Sequence, residues 1–207
     1  MPFDFKKEFE SFYQPKTTPE IITVPQITYA AVRGEGNPNE EGGTYKSAVS
    51  VLYGILYTIK MSRRGGNVID GYFDLVVPPL EGFWGNAEYT NKDRFRWISV
   101  LRLPDFVTEE VFEWAKAEAA CKKKIDCSAA EMLKINEGLC VQCMHIGSYD
   151  NEPLTVSKMD EFLAENNFAN DFTDNRLHHE IYISDPNKCA EEMRKTIIRH
   201  PIVAIKK

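Results

Sequence analysis

The chain has 207 residues, a formal net charge of −6, 43% hydrophobic and 12% aromatic residues, enough for one large domain or two small ones with a sizeable core, which excludes a disordered chain. The acidic balance argues against direct nucleic-acid binding, which draws on clustered Lys and Arg, and no apolar run approaches the roughly 18 residues of a membrane span. Met1–Glu10 lacks the apolar stretch of a secretion signal, and an odd number of cysteines, five, fits free thiols in a reducing compartment, so a cytoplasmic location is expected.

Residues 1–19 read as a polar leader, a short helix followed by an extended arm that ends in Pro15-Lys16-Thr17-Thr18-Pro19. Ile21–Arg33 is β-rich, and Gly34-Glu35-Gly36-Asn37-Pro38-Asn39 is a strong turn. Thr44–Ser62 carries apolar residues at Val49, Leu52, Leu56 and Ile59, which is helical spacing, with Tyr53 and Tyr57 four apart at the edge of the stripe. Gly65-Gly66 ends that helix. Tyr72–Val77 and Arg94–Leu103 read as two further strands, joined through Pro78-Pro79-Leu80-Glu81 and a polar Asn86–Lys92 turn.

Thr108–Lys124 predicts an amphipathic helix, acidic at its start and basic at its end, as the helix dipole favours. Gly138–Ile146 is a strand, residues 147–153 a turn, Leu154–Asn166 a helix and His178–Ser184 a strand. Ile197–Ile205 is a last strand whose Pro201 suggests an edge position. Strand, turn, helix, strand, strand thus occurs twice, with the turns Gly34–Glu40 and Gly147–Pro153 as anchors. The expectation is an α+β fold of one domain over residues 1–207: leader 1–19, first repeat 20–105, second repeat with its connecting helix 106–207. Two such units share an antiparallel sheet with helices on one face, which leaves the open face or the groove between repeats for a ligand.

The chemistry concentrates in His178-His179-Glu180-Ile181-Tyr182. Period-2 alternation sets Glu180 and Tyr182 on one face and Ile181 and Ile183 on the other. A carboxylate beside an aromatic suits a ligand that is cationic or must be protonated or hydrated; a solvated edge strand would show the same pattern. Glu81, inside Pro78–Gly85 with Phe83 and Trp84, is a second glutamate among aromatics. A glutamate in an apolar wall has a raised pKa and can act as general acid or base, or it can serve as a counter-ion.

Tyr53, Tyr57, Trp84, Trp97, Tyr149 and Tyr182 are spread over both halves. Each alone is as good a core residue, whereas together they can bind a planar or cationic ligand by stacking and cation–π contact, worth roughly 0.5–2 kcal/mol each. His178 and His179 alternate faces, so at most one shares the surface of Glu180, and His145, at a strand end beside Gly147, can orient a ligand or be structural. Cys140-Val141-Gln142-Cys143 with His145 looks like a metal or redox motif, but strand alternation splits Cys140 from Cys143 and His145. No phosphate loop, nucleophile elbow or zinc-protease helix is present, so neither a cofactor nor a metal is expected.

Pro79-Leu80-Glu81-Gly82-Phe83-Trp84, Pro104-Asp105-Phe106-Val107-Thr108, Gly138-Leu139-Cys140-Val141-Gln142-Cys143-Met144-His145-Ile146-Gly147 and His178-His179-Glu180-Ile181-Tyr182 resemble the stand-alone branch of the GyrI-like small-molecule-binding family. The resemblance runs from about residue 3 to 205. It implies a duplicated β-α-β-β (SHS2-type) fold with a pocket between the repeats, and Glu180 as the pocket glutamate that faces cationic ligands in drug-sensing relatives. A subgroup is similar to cyclopropanoid cyclopropyl hydrolases, which add water to the strained ring of planar DNA-alkylating compounds inside an aromatic cage. That implies Glu180 and Tyr182 as catalytic residues, and Tyr53, Tyr57, Glu81, Trp84, Trp97, His145 and Tyr149 as ligand-binding ones. Trp84-Gly85 stands where the family often has two tryptophans, which opens the pocket. The alternative is a non-catalytic binder or sensor of cationic aromatic drugs.

Overall fold

The computed structural model describes residues 1–85 and 95–205. The expected turn Asn86–Lys92 lies outside them, as does Arg94 of the expected strand. The fold is mixed α+β, with antiparallel pairing, and by compactness it divides into two units. One takes residues 1–5 and 27–80 with the described part of 86–135; the other takes 6–26, 81–85 and 136–205. No described helix is long and apolar enough to cross a membrane.

In the first unit, β1 (Glu20–Glu35, of which Ile27 onward belongs here) pairs antiparallel with β3 (Arg96–Arg102), from Tyr29 opposite Arg102 to Glu35 opposite Arg96. Helix α3 (Thr44–Lys60) lies against α4 (Glu109–Lys123) and β3. Its buried stripe is Ala48, Val51, Leu52, Ile55, Leu56 and Ile59; Val49 is only half-buried. Helix α4, read from sequence as the connecting helix of the second repeat, therefore clusters with the first unit. Thr108 caps it by accepting from the Val111 N–H, and Lys124 ends it in a left-handed conformation.

Tyr72–Val77, expected as a strand, forms no ladder. Its sole described pairing is an isolated parallel bridge from Leu75 to Phe3. The leader folds as two single turns, α1 (Phe5–Glu8) and α2 (Glu10–Tyr13), and an extended arm.

The second unit is built around β7 (Lys195–Ala204). It pairs antiparallel with β4 (Ala130–Ile146), with β6 (His178–Tyr182) and with the short β5 (Phe168–Asn170). So β7 is not an edge strand, contrary to the expectation from Pro201. Pairing with β6 ends at Arg199 and pairing with β5 starts at Ile202, so the proline sits in the gap between two partners. Next to β6 lies β2 (Leu80–Gly85), a segment the sequence presents as a connecting loop. Helix α5 (Glu152–Glu165) covers Val141, Cys143, Ile198 and Ile202 with Met159 and Leu163. It starts two residues earlier than Leu154 because Pro153, with φ already helical, occupies its first turn.

Candidate functional site: two polar networks on opposite faces of β6

Directly paired residues in an antiparallel ladder point to the same face. Glu180 opposes Ile198, and Tyr182 opposes Thr196, whose β4 partner is His145; this is the α5 side. His179 opposes Arg199, which opposes Gln142, on the other side. Strand β2 alternates in step: Phe83 stacks on His179 at 3.9 Å, whereas the Trp84 indole N–H donates to the Tyr182 hydroxyl at 3.2 Å. Between them, Gly82 has no side chain because none fits; a Cβ there would lie 2.9 Å from Trp84 Nε1 and 3.2 Å from the Tyr182 hydroxyl.

The face away from α5 holds a buried charged chain. Tyr13 donates to Glu81 Oε1 (2.9 Å), and His179 bridges Glu81 Oε2 (3.1 Å) and Glu137 Oε2 (2.9 Å). Arg199 donates to Glu137 Oε1 (3.1 Å), to Gln142 and to the Phe12 carbonyl. Burial alone would raise the pKa of Glu137, but the His179 and Arg199 charges overcome it and hold the carboxyl at about 2. Burial likewise disfavours charge on His179, and Glu137 and Glu81 overcome that to raise its pKa. With every member this enclosed, the network fastens the leader and the strands rather than meeting a ligand.

The α5 face has the composition of a site. His178 Nε2 is 2.9 Å from Glu180 Oε1, and His178 Nδ1 is 2.8 Å from His200 Nε2. Burial first, then His178, pushes the pKa of His200 well down, so it is neutral. At the first residue of α5, Glu152 is 5% exposed, and its Oε1 has no hydrogen-bond partner. Burial, reinforced by the Glu180 and Asp150 charges, raises its pKa to about 9. It is therefore protonated at neutral pH. The aromatic side is Trp84 and Tyr182 with Tyr149, whose ring meets Tyr182 edge-on at 6.0 Å and carries the Arg194 guanidinium at 5.6 Å.

Glu180, Tyr182, Trp84 and Tyr149 thus come together. Glu81 does not join them: it is 1% exposed and bonded to His179, on the face opposite Glu180. His145 spends both ring nitrogens on the Thr155 hydroxyl and the Ser148 carbonyl, each at 2.9 Å, and so ties β4 to the start of α5. Trp97, in the first unit, lies 2% exposed against Gly34, where a Cβ would come within 2.3 Å of its ring. Tyr53 and Tyr57 lie on α3 of that unit with rings 6.4 Å apart, and Lys123 caps Tyr57 at 5.8 Å.

Sequence reasoning missed Glu152 and His200. A glutamate beside a helix-starting proline was the available signal for the first; nothing local marks the second. Cys140 and Cys143 are buried on opposite faces, and burial first, then Glu137, pushes the Cys140 thiol up to about 12, so neither is a reactive thiolate.

The model of the GyrI-like small molecule binding domain matches residues 17–203. The chain belongs to the GyrI-like family. This GyrI-like domain is similar to a Listeria innocua crystal structure described as a hydrolase, at 48% identity and TM-score 0.90, covering 97% of this chain and 100% of that one. A second Listeria innocua structure, described as an uncharacterized conserved protein, has 48% identity and TM-score 0.92 over the same shares. The EcmrR C-terminal domain, at 12% identity and TM-score 0.52 over 91% of this chain and 98% of its own, shares the fold alone. No curated protein matches the chain.

Proposed function

We propose that this GyrI-like domain is a cofactor-independent hydrolase that adds water to the strained cyclopropane of a planar, DNA-alkylating xenobiotic. The observation that carries the reading is a pair of carboxyl side chains beside aromatic rings: Glu152, buried, with its pKa raised to about 9, and Glu180, hydrogen-bonded to His178. A carboxyl that burial keeps protonated can donate a proton, and the second glutamate beside it offers an oxygen to accept one, as acid–base catalysis needs. The Listeria innocua relative described as a hydrolase supports the reaction class.

In this reading the ligand plane lies against Trp84, Tyr149 and Tyr182. Glu180 takes a proton from a water whose oxygen bonds to the ring methylene. The strained carbon–carbon bond breaks, and its electron pair moves into the conjugated acceptor of the ligand, which takes the proton of Glu152. The proton gained by Glu180 then returns to Glu152, so one water is added and the pair is reset. Ring strain drives the step, and the π-faces favour the positive charge that builds on the carbon. The proposal rests on residues of the second unit alone, and the duplicated β-α-β-β reading of the chain stays part of it.

The test is mass spectrometry of a cyclopropanoid alkylating agent in excess over protein. Conversion of the excess to its water adduct is expected, with a loss of at least about 100-fold in Glu180→Gln. Ligand retained intact at one equivalent per chain would instead establish the binder of cationic aromatic compounds, with Glu180 as counter-ion.

A further inference from the structure

We propose that Glu152, His178 and Glu180 form a binding site for a divalent transition-metal ion, with Zn2+ the best-matched occupant. One donor atom from each residue lies within 4.8 Å of the other two. Donors of a tetrahedral ion are roughly 3.4 Å apart at ordinary Zn–N and Zn–O lengths, so closing the site takes side-chain shifts of about an ångström. One pair, His178 Nε2 and Glu180 Oε1, is already 2.9 Å apart.

Three further observations point to a cation. Glu152 is 5% exposed and its Oε1 is without a partner, although a buried carboxylate oxygen ordinarily finds one. Among the described residues, neither Glu152 nor Glu180 has an ion pair with a Lys or Arg; His178 is the one basic group recorded on Glu180. And His178 is backed as metal-bound histidines are, its Nδ1 held by His200 Nε2 at 2.8 Å while Nε2 faces the site. Uptake displaces the proton of Glu152 into solvent; one imidazole and two carboxylates then match the charge of a divalent ion and leave a fourth position open.

The inference does not depend on the hydrolase reading, since its readout is metal uptake. It bears on that reading in one way: the ion takes the lone pairs that the water-activating step uses, so loading should suppress turnover and a chelator should restore it.

The experiment is titration of the chelator-treated full chain with Co2+, followed by its visible d–d absorption, and calorimetry with Zn2+. Exposed Cys121 and half-exposed Cys189 are competing ligands, so the double variant Cys121→Ser/Cys189→Ser is titrated in parallel. One equivalent per chain is expected, kept in the cysteine variant and weakened at least tenfold in both Glu152→Gln and Glu180→Gln. Replacing His200 with Asn, which leaves the three ligands in place, should weaken uptake about tenfold. No uptake, uptake lost with the cysteines, or unchanged affinity in both glutamine variants would overturn the proposal. Circular dichroism shows which variants fold; if one glutamine variant does not, the other decides.

Discussion

Replacing Glu152 with Gln should make the protein more stable at neutral pH. Glu152 has its pKa raised from 4.5 to about 9, mainly by burial and then by Glu180. Unfolded, the side chain is ionised at pH 7; folded, it must hold a proton. A carboxyl with a raised folded pKa opposes folding. The penalty is absent below pH 4.5, grows by about 1.4 kcal/mol per pH unit above it, and levels off near pH 9. At pH 7 the interval is 7 − 4.5 = 2.5 units, or about 3 kcal/mol. That figure requires only that the folded pKa exceed 7. Gln carries no such penalty and its amide can donate to Glu180; imperfect satisfaction of the amide should leave a net gain of about 1–3 kcal/mol. The assay is urea unfolding of both proteins at pH 4, 5.5, 7 and 8 in the presence of a chelator. The variant should have no advantage at pH 4, where only the cost of its amide remains, and should gain on the wild type as pH rises, at constant m-value. A difference independent of pH, or a variant less stable at pH 7, would refute the reasoning. Turnover should fall in the same variant, because the proton donor is gone.

The opposite face makes the opposite prediction. Glu137→Gln should cost about 3 kcal/mol at pH 7, from a pKa depressed from 4.5 to about 2 by His179 and Arg199 against the effect of burial, and the cost should fade as pH drops from 4.5 towards 2; thermal melts across that range check it. His179 has a raised pKa, so its contribution is complete below pH 6.5 and is lost as pH rises through the folded value. It is the same interaction seen from the other partner, so His179→Gln in Glu137→Gln should add less than it does alone. Gly82→Ala should push Trp84 and Tyr182 apart, shift tryptophan fluorescence and cost about 1–3 kcal/mol; wild-type stability would show that the 2.9 Å approach relaxes freely.

The two faces of β6 were legible. Period-2 alternation set Glu180 and Tyr182 on one face and Ile181 on the other, with at most one of His178 and His179 on the surface of Glu180; in β6 that one is His178. Alternation likewise argued correctly that Cys140 and Cys143 diverge. The helices with strong local periodicity, α3 and α4, lie where expected within a few residues, whereas β4 ends at Ile146 as expected but begins at Ala130, eight residues before Gly138. The prolines before Leu80–Gly85 and the glycines within it give that segment the local signature of a loop. It is a strand because Glu81 and Phe83 find His179 across the ladder.

By itself, the sequence determined which side chains share a face, because the 2- and 3.6-residue periods are properties of the local backbone. It offered six aromatics as a wall for a ligand, and the fold selected Trp84, Tyr149 and Tyr182 among them for the side of Glu180. Only the tertiary structure decided which glutamates His179 would serve. It bridges Glu81 and Glu137, brought to it from β2 and β4, and this keeps Glu81 off the face of Glu180. Nor could 28 positions of sequence separation announce that Glu152 would lie against Glu180. Charge state follows from burial and neighbours, and both are set by packing between segments far apart in the chain.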